Sequence, residues 1–193
     1  MLDRYLSGGF CMRKAGCTVL VAAAVAAFGV TGLAQKTTPV HPGKGGSPHV
    51  KTEWTIDGAN IVIEYGKPAV KGRTDADLMP PGKPWRTGAD EATTLTTDKA
   101  LKFGSLSLAP GTYTINTEPG EKGWQLIIGK LEKPGQWGVP YRKDLETGRT
   151  PMSIAKTKAP VEQLTIYIDD TPAGATLRVE WGGASATAPF TVG

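Results

Sequence analysis

Apolar and polar residues alternate at every second position over most of the chain beyond residue 50. Val50, Thr52, Trp54 and Ile56 alternate with Lys51, Glu53, Thr55 and Asp57, which predicts a half-buried strand with one wet face. Asp57-Gly58-Ala59-Asn60 has turn chemistry, and Ile61 to Tyr65 resumes as the hairpin partner. Threonine-rich residues 91–98 predict another strand. Leu101, Phe103, Leu106 and Leu108 mark the next, and residues 112–118 and 124–130 follow as two more. The last three runs predict a meander. In residues 161–169, Leu164, Ile166 and Ile168 alternate with Thr165, Tyr167 and Asp169, and Leu177, Val179 and Trp181 alternate with Arg178 and Glu180. Gly182-Gly183 breaks that pattern, and residues 185–192 close the fold, with Pro189 favouring a sheet edge.

Two segments lose this periodicity, residues 66–90 and 131–160. Within the first, Thr74 is a candidate cap for one helical turn over 74–78. A loop of this length in a compact domain is uncommon and usually functional or disordered. Val70, Leu78, Met79 and Trp85 give it apolar residues with which to pack down. The reading is all-β: an antiparallel β-sandwich of about eight or nine short strands with two long irregular loops, a closed β-barrel being the alternative.

The N-terminus changes what counts as the domain. Arg13 and Lys14 precede an apolar run from Cys17 to Val30, and Gly32 and Ala34 occupy the positions a signal peptidase reads. Residues 1–34 therefore read as a signal peptide cleaved after Ala34, with Met12 an alternative start. The run is shorter than the roughly 20 residues a spanning helix needs, so no membrane span is expected after cleavage. The expected location is periplasmic or secreted. Both cysteines, Cys11 and Cys17, fall in this segment, which leaves the mature chain without thiols or disulfides.

Removing residues 1–34 takes away Arg4, Arg13, Lys14 and Asp3, so the formal charge of +4 falls to +2. No basic cluster remains that would suggest a nucleic-acid partner. Residues 35–49 hold three prolines, three glycines and a single aliphatic side chain, and read as a flexible linker ahead of one domain over 50–193. Both histidines, His41 and His49, lie in that linker, with no neighbouring Cys, Asp or Glu in sequence to complete a ligand set. The expectation is no metal and no cofactor.

Several stretches resemble a known family. Ile63-Glu-Tyr-Gly-Lys-Pro-Ala-Val-Lys-Gly-Arg73, Trp85-Arg-Thr-Gly-Ala-Asp-Glu-Ala-Thr-Thr94, Leu108-Ala-Pro-Gly-Thr-Tyr-Thr114, Gln136-Trp-Gly138 and Val179-Glu-Trp-Gly182 are similar to the domain of unknown function 2911 family of exported bacterial proteins. The resemblance spans residues 50–192, with Trp-Arg-Thr-Gly-Ala its most specific part. At position 90 the family pattern often has Asn where this chain has Asp. The resemblance implies export and no known activity.

The residues left for chemistry concentrate in residues 80–97. Trp85, Arg86, Asp90 and Glu91 lie there, directly before a strand. Without Cys or His in residues 50–193, thiol nucleophiles, Ser-His-Asp triads and His-rich metal sites are excluded from that part. Gly82-Lys83 lacks the surroundings of a phosphate loop. Asp75 and Asp77 lack the remaining ligands of a calcium loop and read as surface acids. Adjacent residues on a strand face opposite sides, so Asp90 and Glu91 cannot by themselves form a facing acid–base pair. An ion pair of either one with Arg86, pinning the long loop, is the plainer expectation. Trp54, Trp124 and Trp181 fall on strand faces and are expected in the core.

Three functional readings follow. The first is a non-catalytic binding module for a small-molecule, carbohydrate or peptide ligand, with Trp85, Arg86, Glu91, Trp137 and Tyr141 at its loop end. The second is a carboxylate-dependent hydrolase in which Glu64 or Glu91 is the catalytic acid or base. The third is a structural or assembly partner that binds by strand addition at an open edge.

Overall fold

The computed structural model describes residues 35–193, so the expected signal peptide and both cysteines lie outside the described residues. Ten strands run in chain order: β1 (Lys36–His41), β2 (His49–Ile56), β3 (Ala59–Gly66), β4 (Thr94–Thr97), β5 (Leu101–Phe103), β6 (Leu106–Leu108), β7 (Gly111–Glu118), β8 (Trp124–Lys130), β9 (Glu146–Thr171) and β10 (Gly174–Val192). They form one antiparallel sheet in the order β1-β2-β3-β4-β7-β8-β9-β10-β5-β6. The sheet is not closed into a barrel.

The long strands make a sandwich of this sheet. The first part of β9 pairs with β8, from Gly129↔Glu146 to Trp124↔Met152. The rest pairs with β10, with register shifts around Gly182. β9 therefore belongs to both halves of the sheet, and apolar faces from the two halves share one core. Ile61, Ile63, Leu95, Ile115 and Leu126 from one half meet Phe103, Leu164, Ile166, Leu177 and Phe190 from the other. Each such side chain, when fully buried, contributes roughly 1.5–3 kcal/mol of transfer free energy. Trp54, Trp124 and Trp181 are buried, as their strand positions predict. Tyr65 fastens the halves directly, its hydroxyl oxygen accepting the Ile166 N–H at 3.0 Å.

Where local chemistry is strong, the sequence reading and the structure agree. Asp57 and Gly58 both take positive φ, 48° and 73°, as the tight turn between β2 and β3 requires. A single helical turn, α1 (Asp75–Leu78), starts at Thr74 with a complete capping box from Asp77. Asp75 accepts the Gly183 N–H at 3.1 Å, which ties this turn to β10.

Three expectations are corrected. Residues 101–108 do not join a meander. They form the β5–β6 hairpin against the end of β10, while β7 pairs with β4 on its other side. The second irregular segment ends at Leu145, because β8 offers residues 146–152 a ladder that Pro151 concealed. Residues 36–41 are not a free leader: β1 pairs with β2 from Lys36↔Glu53 onward. All six β1 side chains are exposed, so the backbone ladder does most to place the strand and no apolar pattern marks it.

Candidate functional site

Residues 80–97 are woven between β7 and the loop at 133–139. Trp85 exchanges backbone hydrogen bonds with Thr117, N to O at 2.9 Å and O to N at 3.1 Å. Thr87 is fully buried at φ 49° and donates to the Thr117 hydroxyl at 3.1 Å. The Thr93 hydroxyl donates back to the Thr87 carbonyl at 2.9 Å. A Cβ on Gly88 would meet Thr93 Oγ1 at 2.5 Å, so glycine is required for the chain to fold back this closely. Asp90 also has positive φ, 59°, and its carbonyl accepts the Gly138 N–H at 3.0 Å. The short residues of Thr-Gly-Ala-Asp thus produce a compact backbone knot that aims Trp85 and Arg86 to one side and Glu91 to the other.

On the Trp85 and Arg86 side lies a cavity of about 540 Å³. Four cationic residues line it, Lys44, Lys71, Arg73 and Arg86, against a single carboxylate, Asp90. None of the four side chains is in an ion pair among the described residues. Arg86 Nε donates to the Gly88 carbonyl at 3.2 Å, and Arg73 donates to the carbonyls of Val70 and Ala69. Trp85 stacks on Trp181 with ring centroids 5.5 Å apart, and the Arg73 guanidinium lies 5.9 Å from the Trp181 ring. The indole N–H groups of both tryptophans are buried without an acceptor.

The other expected site residues lie elsewhere. Arg86 forms no ion pair with Asp90 or Glu91; its guanidinium is turned to a backbone carbonyl instead. Glu91 bridges to Trp137 through the backbone and points its carboxylate at the two histidines. Trp137 is exposed, with the Lys44 ammonium 5.2 Å from its ring. Tyr141 belongs to a separate crevice of about 20 Å³, which has room for little more than a water. Its hydroxyl donates to Glu146, which also binds Arg149. The Arg149 guanidinium holds the Glu146 carboxyl down at about 2. Burial, followed by the Glu146 carboxylate, pushes the Tyr141 hydroxyl up to about 12. Arg149 Nη1 reaches Glu118 at 2.7 Å, so this cluster is a closed network of satisfied charges. Glu64 sits on β3 between Lys51 and Thr94, and among the described residues it has no hydrogen bond or ion pair with Glu91 or Arg86.

The histidines are what the sequence reading missed. β1 and β2 set His41 opposite His49, and their rings stack at 4.1 Å. His49 is 2% exposed. Ligand atoms of His41, His49 and Glu91 lie within 4.8 Å of one another, so a carboxylate distant in sequence completes the set that the linker appeared to lack. The available signal was a pair of histidines flanking a Pro-Gly-Lys-Gly-Gly turn, which a hairpin would bring face to face.

Among the described residues, no helix is long and apolar enough to cross a membrane. No curated protein and no solved structure matches the chain significantly. Residues 47–190, from just before β2 to within the last residues of β10 and including the whole knot at 85–93, match the family model described as "Protein of unknown function (DUF2911)", and the chain belongs to that family.

Proposed function

We propose that the protein is an exported binding module for a small anionic ligand with a flat or apolar body. The observation that carries this reading is the cavity beside the Trp85–Trp181 stack. It gathers four cationic side chains without ion-pair partners around a single carboxylate. Its volume of about 540 Å³ falls within the range of small-molecule sites. Guanidinium groups fixed by backbone carbonyls have little rotamer freedom left to lose, and can grip a carboxylate, sulfonate or phosphate through their remaining N–H groups. The tryptophan pair supplies apolar area at low entropic cost.

Anilinonaphthalene sulfonate is a suitable probe, being aromatic and anionic. Fluorescence titration should show saturable binding that weakens as salt is raised. An Arg73→Gln/Arg86→Gln variant should bind it roughly tenfold or more weakly, since each charge-assisted hydrogen bond contributes about 1.5–3 kcal/mol. Equal affinity in wild type and variant, both folded, would sink the reading.

A further inference from the structure

We infer that His41, His49 and Glu91 form a binding site for one divalent transition-metal ion of the zinc type. The geometry is that of a built site. His49 is 2% exposed, and its Nε2 is buried without a hydrogen-bond partner. Glu91 Oε2 is likewise buried and unpartnered, although it lies only 3.2 Å from His49 Nε2, out of line for a hydrogen bond. Leaving such atoms unsatisfied costs about 1–3 kcal/mol each, which a shared ion would offset.

The spacing to Glu91 approaches that of the ion, while the His41 and His49 rings, stacked with planes 19° apart, require the partly exposed His41 ring to turn before both nitrogens face one centre. Ligand atoms at bonds of about 2.0–2.1 Å around a tetrahedral centre stand roughly 3.3 Å apart. Here Glu91 Oε2 lies 3.2 Å from His49 Nε2 and 3.8 Å from His41 Nε2. Asp90 Oδ2 lies 3.5 Å from His49 Nε2 but outside the His41–His49–Glu91 set. It is steadied there by the Lys44 backbone N–H at 2.8 Å. Space for the His49 ring is itself arranged: a Cβ on Gly66 would meet His49 Nε2 at 2.6 Å. His41 Nδ1 accepts the Gly43 N–H at 3.1 Å, so ligation by Nε2 moves that ring's proton to Nδ1 and gives up the Gly43 contact. Two imidazoles with carboxylate suit Zn²⁺, Co²⁺ or Ni²⁺; calcium and magnesium favour all-oxygen sets.

The test uses the protein purified without a polyhistidine tag and treated with chelator. Calorimetric titration with Zn²⁺ should give one ion per chain, and Co²⁺ should develop the intense visible absorption of a four-coordinate site. His49 is buried, so its replacement risks the fold; the partly exposed His41 and Glu91 carry the comparison. His41→Gln and Glu91→Gln should each weaken Zn²⁺ binding at least ~10-fold while keeping the wild-type circular dichroism. Absence of binding by the wild type, or unchanged affinity in both folded variants, would overturn the assignment.

Discussion

Replacing Tyr65 with phenylalanine tests how the two halves of the sandwich are joined. The ring is 2% exposed and its packing survives the substitution. Only the hydroxyl is lost, and with it the acceptor for the Ile166 N–H at 3.0 Å. That N–H is on the side of β9 facing away from β10, where Leu164 N–H is already taken by the Pro68 carbonyl at 3.0 Å. Burial holds the Tyr65 hydroxyl up at about 12, so it is neutral at every working pH and acts purely as a hydrogen-bonding group. An orphaned buried N–H costs about 1–3 kcal/mol. At ~2–4 °C per kcal/mol for a domain of this size, the melting temperature should fall by roughly 2–12 °C. Urea denaturation should show a lower midpoint with an unchanged slope. Hydrogen exchange should show faster exchange at the Ile166 amide than at its neighbours in β9. If the midpoint and the Ile166 exchange rate both stay at wild-type values, the Tyr65 tie contributes nothing and this account of how the halves are held is wrong.

Two further perturbations probe the surroundings of the site. Gly66→Ala would set a methyl 2.6 Å from His49 Nε2 and 2.7 Å from the Ala89 carbonyl, and the backbone atom cannot yield cheaply. A loss of about 1–3 kcal/mol is expected in denaturant melts, and wild-type stability would mean the His49 pocket is looser than described. The Arg149–Glu146 network predicts an acid limb of stability. Glu146 titrates at about 2 in the folded protein against an ordinary 4.5, so its contribution is complete above about pH 4.5 and is lost as pH falls toward 2. Water reaches Lys143 and Arg149, so on the order of 1–2 kcal/mol is expected rather than the full shift. Glu146→Gln should flatten this limb of a stability–pH curve, and an unchanged curve would assign the acid loss to other groups.

Much of the scaffold was legible because it is encoded locally. The alternation from Val50 to Ile63 and the Asp57-Gly58 turn specify β2 and β3, and Thr74 with Asp77 specifies α1. Tryptophan positions on strand faces identified three core residues. What escaped was set by partners remote in sequence. β1 has no buried side chain and exists because β2 offers it a ladder. β9 runs through Pro151 and Pro160 because β8 and β10 pair with it in turn. The His41–His49–Glu91 cluster depends on β1 being a strand, so reading residues 35–49 as a linker concealed it. The Trp85-to-Glu91 stretch was recognised as central, but its two faces serve different places. The tight backbone at Thr87 and Asp90 sends Arg86 into the cavity and Glu91 to the histidines.

Indole signals report directly on the proposed anion site in the cavity beside Trp85 and Trp181. The chain has five tryptophans, each giving one resolved N–H resonance in a ¹⁵N-correlated spectrum. Adding anilinonaphthalene sulfonate should shift the Trp85 and Trp181 resonances saturably, with one shared affinity, and leave those of Trp54 and Trp124 in place. Shifts centred on Trp54 or Trp124, or none at Trp85 and Trp181 at saturating probe, would contradict it.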